Sequence, residues 1–500
     1  MDIVFPDISF WLAAPEIGLA VLIGIVLIAD LFTPLENKAA MGVLSLVGVI
    51  LLVFVSFWQW GEGMRTTFSG FYVVDNFSVF VKVVILAATA LSISLSLQYV
   101  KVERINYGEF YGLILFSVFG MLVMASGNDL ISIYLGIETM SLSIYVLVGF
   151  IRHDPLSREA SLKYFLMGAF ASGIVLYGMA LTYGMTGTTS LAGISESLSG
   201  AGGGEISSNP VMIFALILLV AGFAFKLALA PFHMWLPDAY TGAPTTITAF
   251  MSVAVKAAAS AALIRLFFIG LQVLAPRWNF LLWLLAASTM IWGNVAAIAQ
   301  TSLKRMLAYS SIAHVGYLLL GVVAAMTIND DGKVVFSNEG VSAVLFYLLV
   351  YMFTNLGAFG MLILICREGY RGDNIEDWRG VGQAHPIVGL SFVVFLLSLA
   401  GIPPTAGFVG KLILFAAAIQ NQYYWLAVIG ILSSAVSIYY YGHIMRVMYM
   451  NPRTTSQPPI EFSKSPSLLL TLLLLVIATI ALGIFPGSFI EAARGSVLGI

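Results

Sequence analysis

One cysteine, Cys366, is present in 500 residues, so the chain has no internal disulfide and no cysteine cluster for zinc or an iron-sulfur centre. Charge is scarce as well: Asp, Glu, Lys and Arg make up 10% of the residues and sum to a formal net charge of -2. The basic residues are dispersed through short loops, which leaves no electrostatic footprint for nucleic acid. The amino-terminal MDIVFPDISF is acidic and lacks the basic region of a secretory signal, so the first apolar run is expected to stay in place as a helix. The glycine-rich stretch at 197–208 is not followed by Gly-Lys-Ser/Thr and reads as a flexible loop on the outer side, not a phosphate cradle. A dinucleotide fingerprint and a metal-ligand cluster are both missing.

What the chain has is apolar length. Hydrophobic residues reach 60%, and the mean hydropathy of +0.97 belongs to a bilayer protein. Runs of about 20 apolar residues, enough to cross ~30 Å of hydrocarbon, repeat from end to end. Segments 1 to 6 are read at 11–32, 40–59, 77–98, 109–126, 129–150 and 161–186. Segments 7 to 10 follow at 210–231, 244–269, 279–299 and 307–327, and segments 11 to 14 at 339–365, 386–418, 424–448 and 466–487. The expected fold is therefore an all-α polytopic membrane protein of about 14 transmembrane helices. Alternate loops put Lys38, Lys101, Arg104, Arg152, Arg158, Lys304, Arg305, Arg367, Arg371, Arg379, Arg446, Arg453 and Lys464 on one side. Only Arg65, Arg277, Lys333 and Arg494 fall on the other. The positive-inside rule makes the richer side cytoplasmic and puts both termini outside.

Two segments are interrupted. Segment 7 contains FKLALAPFHMWLPDAY and segment 12 contains LSLAGIPPTAGFVGKL, and proline in mid-span breaks a helix. Aligning Pro231 with Pro403 pairs Lys226-Leu227-Ala228 with Ser398-Leu399-Ala400. Broken helices in corresponding halves point to an inverted repeat with sites near the midplane; kinks that serve only helix packing are the alternative. The expected division is residues 1–108 for segments 1 to 3, 109–270 and 271–450 for two inverted five-helix units, and 451–500 for the last helix.

A charge at the centre of a spanning helix costs roughly 2.5 to 3.5 kcal/mol, so Glu138, Lys226, Lys256 and Lys411 each need a reason. Glu138 shares a helix face with Tyr134, Ser141 and Tyr145, and Lys256 shares one with Thr245, Thr248, Ser252 and Ser260. Lys226 precedes one break by about a turn and Lys411 follows the other by about two, so both are expected to border a hydrated gap. His314, near Ser310, Ser311 and Tyr317, and His233, just past Pro231, are candidates to bridge charged sites, with Lys163 a weaker one. A structural Glu–Lys pair accounts for one lysine at most and leaves the others unpaired. Glu16, Asp30 and Lys82 lie near helix ends and read as boundary residues whose heads snorkel to water. The stripe Ser433, Ser437, Tyr441 fits either a water path or close helix packing.

At these residues the chain resembles the antiporter-like subunits of respiratory complex I, NADH-quinone oxidoreductase, and most closely their N type. The strings that carry the resemblance are YLGIETMSLSIYVLVGF, EASLKYF, FKLALAPFHMWLPDAY-TGAP, LKRMLAYSSIAHVGYLLLG and LAGIPPTAGFVGKL. It implies fourteen helices with two inverted five-helix units, and proton-moving roles for Glu138, Lys226, Lys256 and Lys411. It also implies no cofactor in this subunit, with flavin, iron-sulfur clusters and quinone in partner subunits. The expected partners are the other membrane subunits of the complex, sister antiporter-like subunits included, in the bacterial inner membrane. Lys411 and the lack of a long lateral helix favour the N type over its M and L sisters. The D subunit of Mrp-type sodium/proton antiporters is similar and is the competing assignment.

Overall fold

A computed structural model describes residues 8–34, 37–328, 334–367, 370–453 and 461–498; Lys333 and the amino-terminal residues 1–7 lie outside the described residues. Among the described residues, 13 helices are long and apolar enough to span a bilayer. Segments 1 to 6 are Ala14–Phe32, Ala39–Trp58, Asn76–Val102, Gly108–Ser126, Leu130–Val148 and Pro155–Thr186. The other unbroken ones are Thr245–Gly270 (segment 8), Gln272–Ile298 (9), Leu303–Ala324 (10), Asn338–Ile365 (11), Tyr424–Met450 (13) and Pro466–Ile484 (14). Segment 7 is Pro210–Leu227 followed by Trp235–Gly242, and segment 12 is Pro386–Ala400 followed by Ala406–Gln420. Two short antiparallel hairpins, Arg65–Thr67 with Tyr72–Val74 and Met326–Ile328 with Val334–Phe336, decorate the ends.

Segment 8 is the axis of the bundle. It is buried along its whole span and packs against segments 3, 4, 7 and 11, and its KAAASAAL run of small side chains lets neighbouring backbones approach closely. Segments 10 and 11 are nearly as enclosed, whereas segments 1, 2, 6, 13 and 14 turn most of their surface outward.

Both breaks close their first half in the same way. Leu227 is followed by Ala228 at φ +57, and Leu229 N–H reaches back to Ala224 O at 2.8 Å. Ala400 is followed by Gly401 at φ +82, and Ile402 N–H reaches Leu397 O at 3.0 Å. This left-handed closure satisfies carbonyls that the broken helix would leave bare. Matching Ala228 to Gly401 pairs Pro231 with Pro404, one residue from the alignment that the sequence match suggested. The Ala230-Pro231 and Pro403-Pro404 peptide bonds are both cis.

Two expectations at helix ends are corrected. Lys82 and Glu16 do not snorkel; they are 0% and 5% exposed and pair at 2.9 Å, and Lys82 also donates to Tyr72 OH at 2.6 Å. The long lysine stem turns inward because a buried carboxylate and phenol are within its reach. Asp30 stays near the helix end but pairs with Lys38 at 2.6 Å. Lys304, counted among the loop cations, is buried and donates to Ala243 O at 2.7 Å.

Candidate functional site

Lys226 sits in the last turn of the first half of segment 7, yet its ammonium turns away from the break. It donates to Ser141 Oγ on segment 5 at 2.9 Å and to Ser172 Oγ on segment 6 at 3.3 Å. Ser141 lies one turn beyond Glu138 on the same helix, as the polar face predicted. Among the described ion pairs none joins Glu138 to Lys226. Glu138 Oε1 and Tyr145 OH are buried and receive no hydrogen bond from the described residues. Such orphaned buried oxygens mark places where ordered water fits.

Lys256 follows a π-helical turn, Met251–Val255, a widening often found at functional positions. Its Nζ donates to Ser311 O at 2.7 Å and makes a shorter contact with Ser311 Oγ. The Tyr351 ring faces the ammonium with its centroid at 5.7 Å. The predicted hydroxyl stripe is shared among several partners: Thr248 Oγ1 donates to Tyr240 O at 2.9 Å, and Asn355 Nδ2 donates to Ser252 Oγ at 2.5 Å.

Lys411 borders its break as predicted, by reaching back across it. Nζ donates to Leu399 O at 2.8 Å, Ala400 O at 3.1 Å and Ser434 Oγ at 2.9 Å. It therefore sits on the negative end of the half-helix Pro386–Ala400. The partner on segment 13 is Ser434, adjacent to the Ser433 stripe; Ser437 Oγ donates to Ser434 O at 2.6 Å.

Between these lysines lies His314, buried on segment 10. Nδ1 meets Tyr347 OH at 2.5 Å and Nε2 meets Tyr441 OH at 3.3 Å. Tyr441 also contacts Ser310 Oγ. On the side of Lys256, Ser311 bonds Tyr351 OH at 2.8 Å, and the Tyr351 ring lies 5.1 Å from the imidazole. On the side of Lys411, the Tyr440 ring lies 4.4 Å from Tyr441, and Tyr440 OH donates to Asn294 Oδ1 at 3.0 Å. Asn294 Nδ2 then donates to Tyr317 OH at 3.3 Å, and the Tyr317 ring faces the Lys411 ammonium with its centroid at 4.9 Å. A continuous run of polar and aromatic groups thus links Lys256 to Lys411 through His314.

The weaker candidates are not brought into this run. His233 faces a separate cavity of about 800 Å³ beside the segment 7 break, near Trp292, and its Nδ1 is buried without a described partner. Lys163 is 46% exposed and pairs with Glu159 at 2.7 Å and Asp238 at 3.0 Å. Segment 6 begins at Pro155, six residues earlier than predicted, which puts Lys163 more than two turns inside the helix. Sequence reasoning missed Tyr347, Tyr351, Tyr440 and Asn294, because tyrosine in an apolar run reads as core. It also missed Arg265, which is fully buried on Asp75 at 2.9 and 3.0 Å. Among the described residues, no group of three His, Cys, Asp or Glu side chains is placed to hold a metal ion.

Long spanning helices, two of them broken near an internal line of polar side chains, are the architecture of an antiporter-like membrane protein. Residues 127–437 match the family described as NADH:quinone oxidoreductase/Mrp antiporter, transmembrane. NADH-quinone oxidoreductase subunit N of Trichlorobacter lovleyi is 42% identical over 99% of this chain and 98% of its own length. The chain belongs to the subunit N branch of this family. A chain of respiratory complex I from Thermus thermophilus shares 34% identity and superposes with a TM-score of 0.79, over 96% of this chain and 99% of that one. A chain of the Mrp complex from a Dietzia species superposes with a TM-score of 0.75 over 97% of this chain and 96% of that one. At 23% identity that likeness shows the shared fold alone, and the Mrp assignment is the less supported one.

Proposed function

We propose that this chain is a proton-translocating membrane subunit of NADH-quinone oxidoreductase, with Glu138, Lys226, Lys256, His314 and Lys411 moving the proton. The observation that carries the reading is the linkage from Lys256 through Ser311, His314, the tyrosines and Asn294 to Lys411. Hydroxyl and imidazole groups both donate and accept, and water would complete the line where it crosses the Tyr351 and Tyr317 ring faces and the Asn294 amide.

Lys226 is the switch at one end. Held on Ser141 and Ser172, it is open with respect to Glu138; a swing toward the carboxylate closes an ion pair and draws positive charge away from Lys256. Two like charges ~8 Å apart at an effective dielectric of ~20 repel by about 2 kcal/mol. That is enough to decide whether a buried lysine holds its proton. Lys256 is the central carrier and Lys411 the exchange site toward the outer face. Energy comes from quinone reduction in partner subunits that carry flavin and iron-sulfur centres. The basic loops face the cytoplasm of the bacterial inner membrane and both termini face outward. The units 109–270 and 271–450, related by inversion, each contribute one broken helix.

The test is proton translocation by the assembled complex in sealed vesicles. Lys256→Ala and Glu138→Gln are each expected to abolish or strongly cut it. Unchanged pumping in both variants, with the subunit still in place, would overturn the reading.

A further inference from the structure

A proton that reaches Lys256 must enter from a water-filled surface, and the line toward Lys411 does not supply that entrance. At the ends of segments 3 and 11 a polar basin of about 650 Å³ is lined by Glu103, Arg104, His153, Arg371, Asp373 and Asp377. Asp373 is one of the lining residues. Its backbone carbonyl accepts from Leu303 N–H at 2.7 Å at the start of segment 10, while its Oδ1 is buried and receives no hydrogen bond from the described residues. Burial raises the Asp373 carboxyl above its ordinary 3.8 against the charges of Lys304 and Arg371, and Glu103 and Asp377 reinforce the rise. A carboxyl so placed takes up a proton more readily than an exposed one.

Between the basin and Lys256 lie further buried polar groups. Lys304 donates to Ala243 O, two residues before segment 8 begins. Tyr99 OH then accepts from Thr245 N–H at 3.0 Å. Thr246 Oγ1 and Asn355 Oδ1 are both buried without a described hydrogen bond. Asn355 donates to Ser252, one turn before Lys256. Thr245 to Lys256 is about 16 Å of helix. The unpaired oxygens of Thr246 and Asn355 can accept from bridging water along that length.

We propose that this basin is the proton-loading mouth of the chain and that Asp373 is its loading residue, delivering to Lys256 along the first half of segment 8. Hydronium in the basin gives its proton to the Asp373 carboxylate and leaves as water. The neutral acid then passes the proton through water and the segment 8 hydroxyls to the free amine of Lys256, which regenerates the carboxylate. Lys304 is a positioning residue, holding the end of segment 7 against these polar groups. The inference rests on the proton-carrying role of Lys256.

The experiment compares Asp373→Asn, Asp373→Glu, Thr246→Val and Lys256→Ala complexes in vesicles, with subunit co-purification as the check on assembly. Asp373→Asn is expected to slow proton translocation on the order of tenfold or more, and Asp373→Glu to restore it. In uncoupled vesicles, formate is expected to recover quinone-reductase turnover of the Asn variant, because a small acid replaces the missing one; a structural role would not respond. Full pumping by Asp373→Asn, or a loss that neither Glu nor formate recovers, overturns the inference. If the Asn variant does not assemble, Thr246→Val decides: slowed pumping supports the route and pumping at the parent rate overturns it. An inactive Lys256→Ala beside a normal Asp373→Asn refutes only the mouth, whereas a normal Lys256→Ala refutes the proton-carrying role beneath it.

Discussion

Lys411 closes the helix that precedes it: its ammonium lies on the carbonyls of Leu399 and Ala400 at 2.8 and 3.1 Å, across the break in segment 12. One charge therefore answers two needs, since the broken helix leaves carbonyls bare in the bilayer and the proposed exchange site needs a cation held near them. Lys411→Met is expected to remove both, at a cost of about 1–3 kcal/mol for the unsatisfied groups, together with loss of pumping. Lys411→Glu places like charge against the negative helix end and is expected to be the less stable of the two. Thermal inactivation of the assembled complex reads the order; equal inactivation of both variants and the parent would remove the capping role.

His314 stands between Tyr347 and Tyr441, with no second imidazole in the line. His314→Ala is expected to cut proton translocation on the order of tenfold or more while the subunit still co-purifies with its partners. Tyr440→Phe removes only the hydroxyl that bonds Asn294 and is expected to slow the step to Lys411 less than His314→Ala does. Vesicle acidification measured for the pair gives the ranking, and a silent His314→Ala would sever the proposed line.

The sequence showed the fourteen segments because each is an apolar run of bilayer length bounded by charge or proline, and it showed Lys226, Lys256, Lys411 and Glu138 because a mid-membrane charge is costly. Both signals are local. Partner choice is not: Lys226 lies at the edge of one break but bonds Ser141 and Ser172 on other helices. The Glu16–Lys82 pair looked like two boundary residues because its halves lie on segments 1 and 3 and only folding joins them. The π-turn before Lys256 has no periodic signature in an alanine-rich run, and the tyrosines around His314 pass for ordinary packing.

Arg265 depends on Asp75 in a way the sequence did not suggest. The guanidinium is fully buried and takes both carboxylate oxygens at 2.9 and 3.0 Å, with Ala125 O at 3.3 Å. Asp75 also caps segment 3 by accepting from Ser78 N–H at 2.7 Å. Asp75→Asn leaves a buried cation without its counter-charge, and a loss of about 3–5 kcal/mol is expected. Reduced recovery of the subunit in the assembled complex and faster thermal inactivation are the readouts; parent-like behaviour in both would show that the pair is dispensable.

Acid should weaken the tie that Arg371 makes between loops. Its guanidinium holds Glu103 at 3.2 and 3.3 Å and Asp154 at 2.6 Å. Burial opposes the charge on Asp154, but the Arg371 hydrogen bond, Leu156 N–H and the Arg371 charge outweigh it and hold the carboxyl below its ordinary 3.8. A carboxyl lowered in the folded protein adds stability above that ordinary value, and the gain disappears as pH falls through the folded one. The difference in thermal inactivation between the parent and Asp154→Asn is therefore expected to be full at about pH 6 and to shrink below about pH 4. A difference constant across that range would contradict the assignment.

Gly407 carries the tightest constraint at the segment 12 break. A Cβ there would collide with Ser398 O, a backbone atom, while Gly407 N–H donates to Ser398 Oγ at 3.0 Å. The second half-helix thus starts against the first with no room for a methyl group, and relief requires moving a helix, not turning a side chain. Gly407→Ala is expected to part the halves, displace Lys411 from Leu399 and Ala400, and lower both assembly and pumping, outweighing the gain of up to about 1 kcal/mol that replacing a helical glycine by alanine usually brings. Gly24→Ala meets nothing within 4 Å and is expected to be near neutral, which separates the effect of the close approach from that of removing a glycine. Equal pumping in the two variants would mean that the break tolerates separation and that the Lys411 cap is not needed for transport.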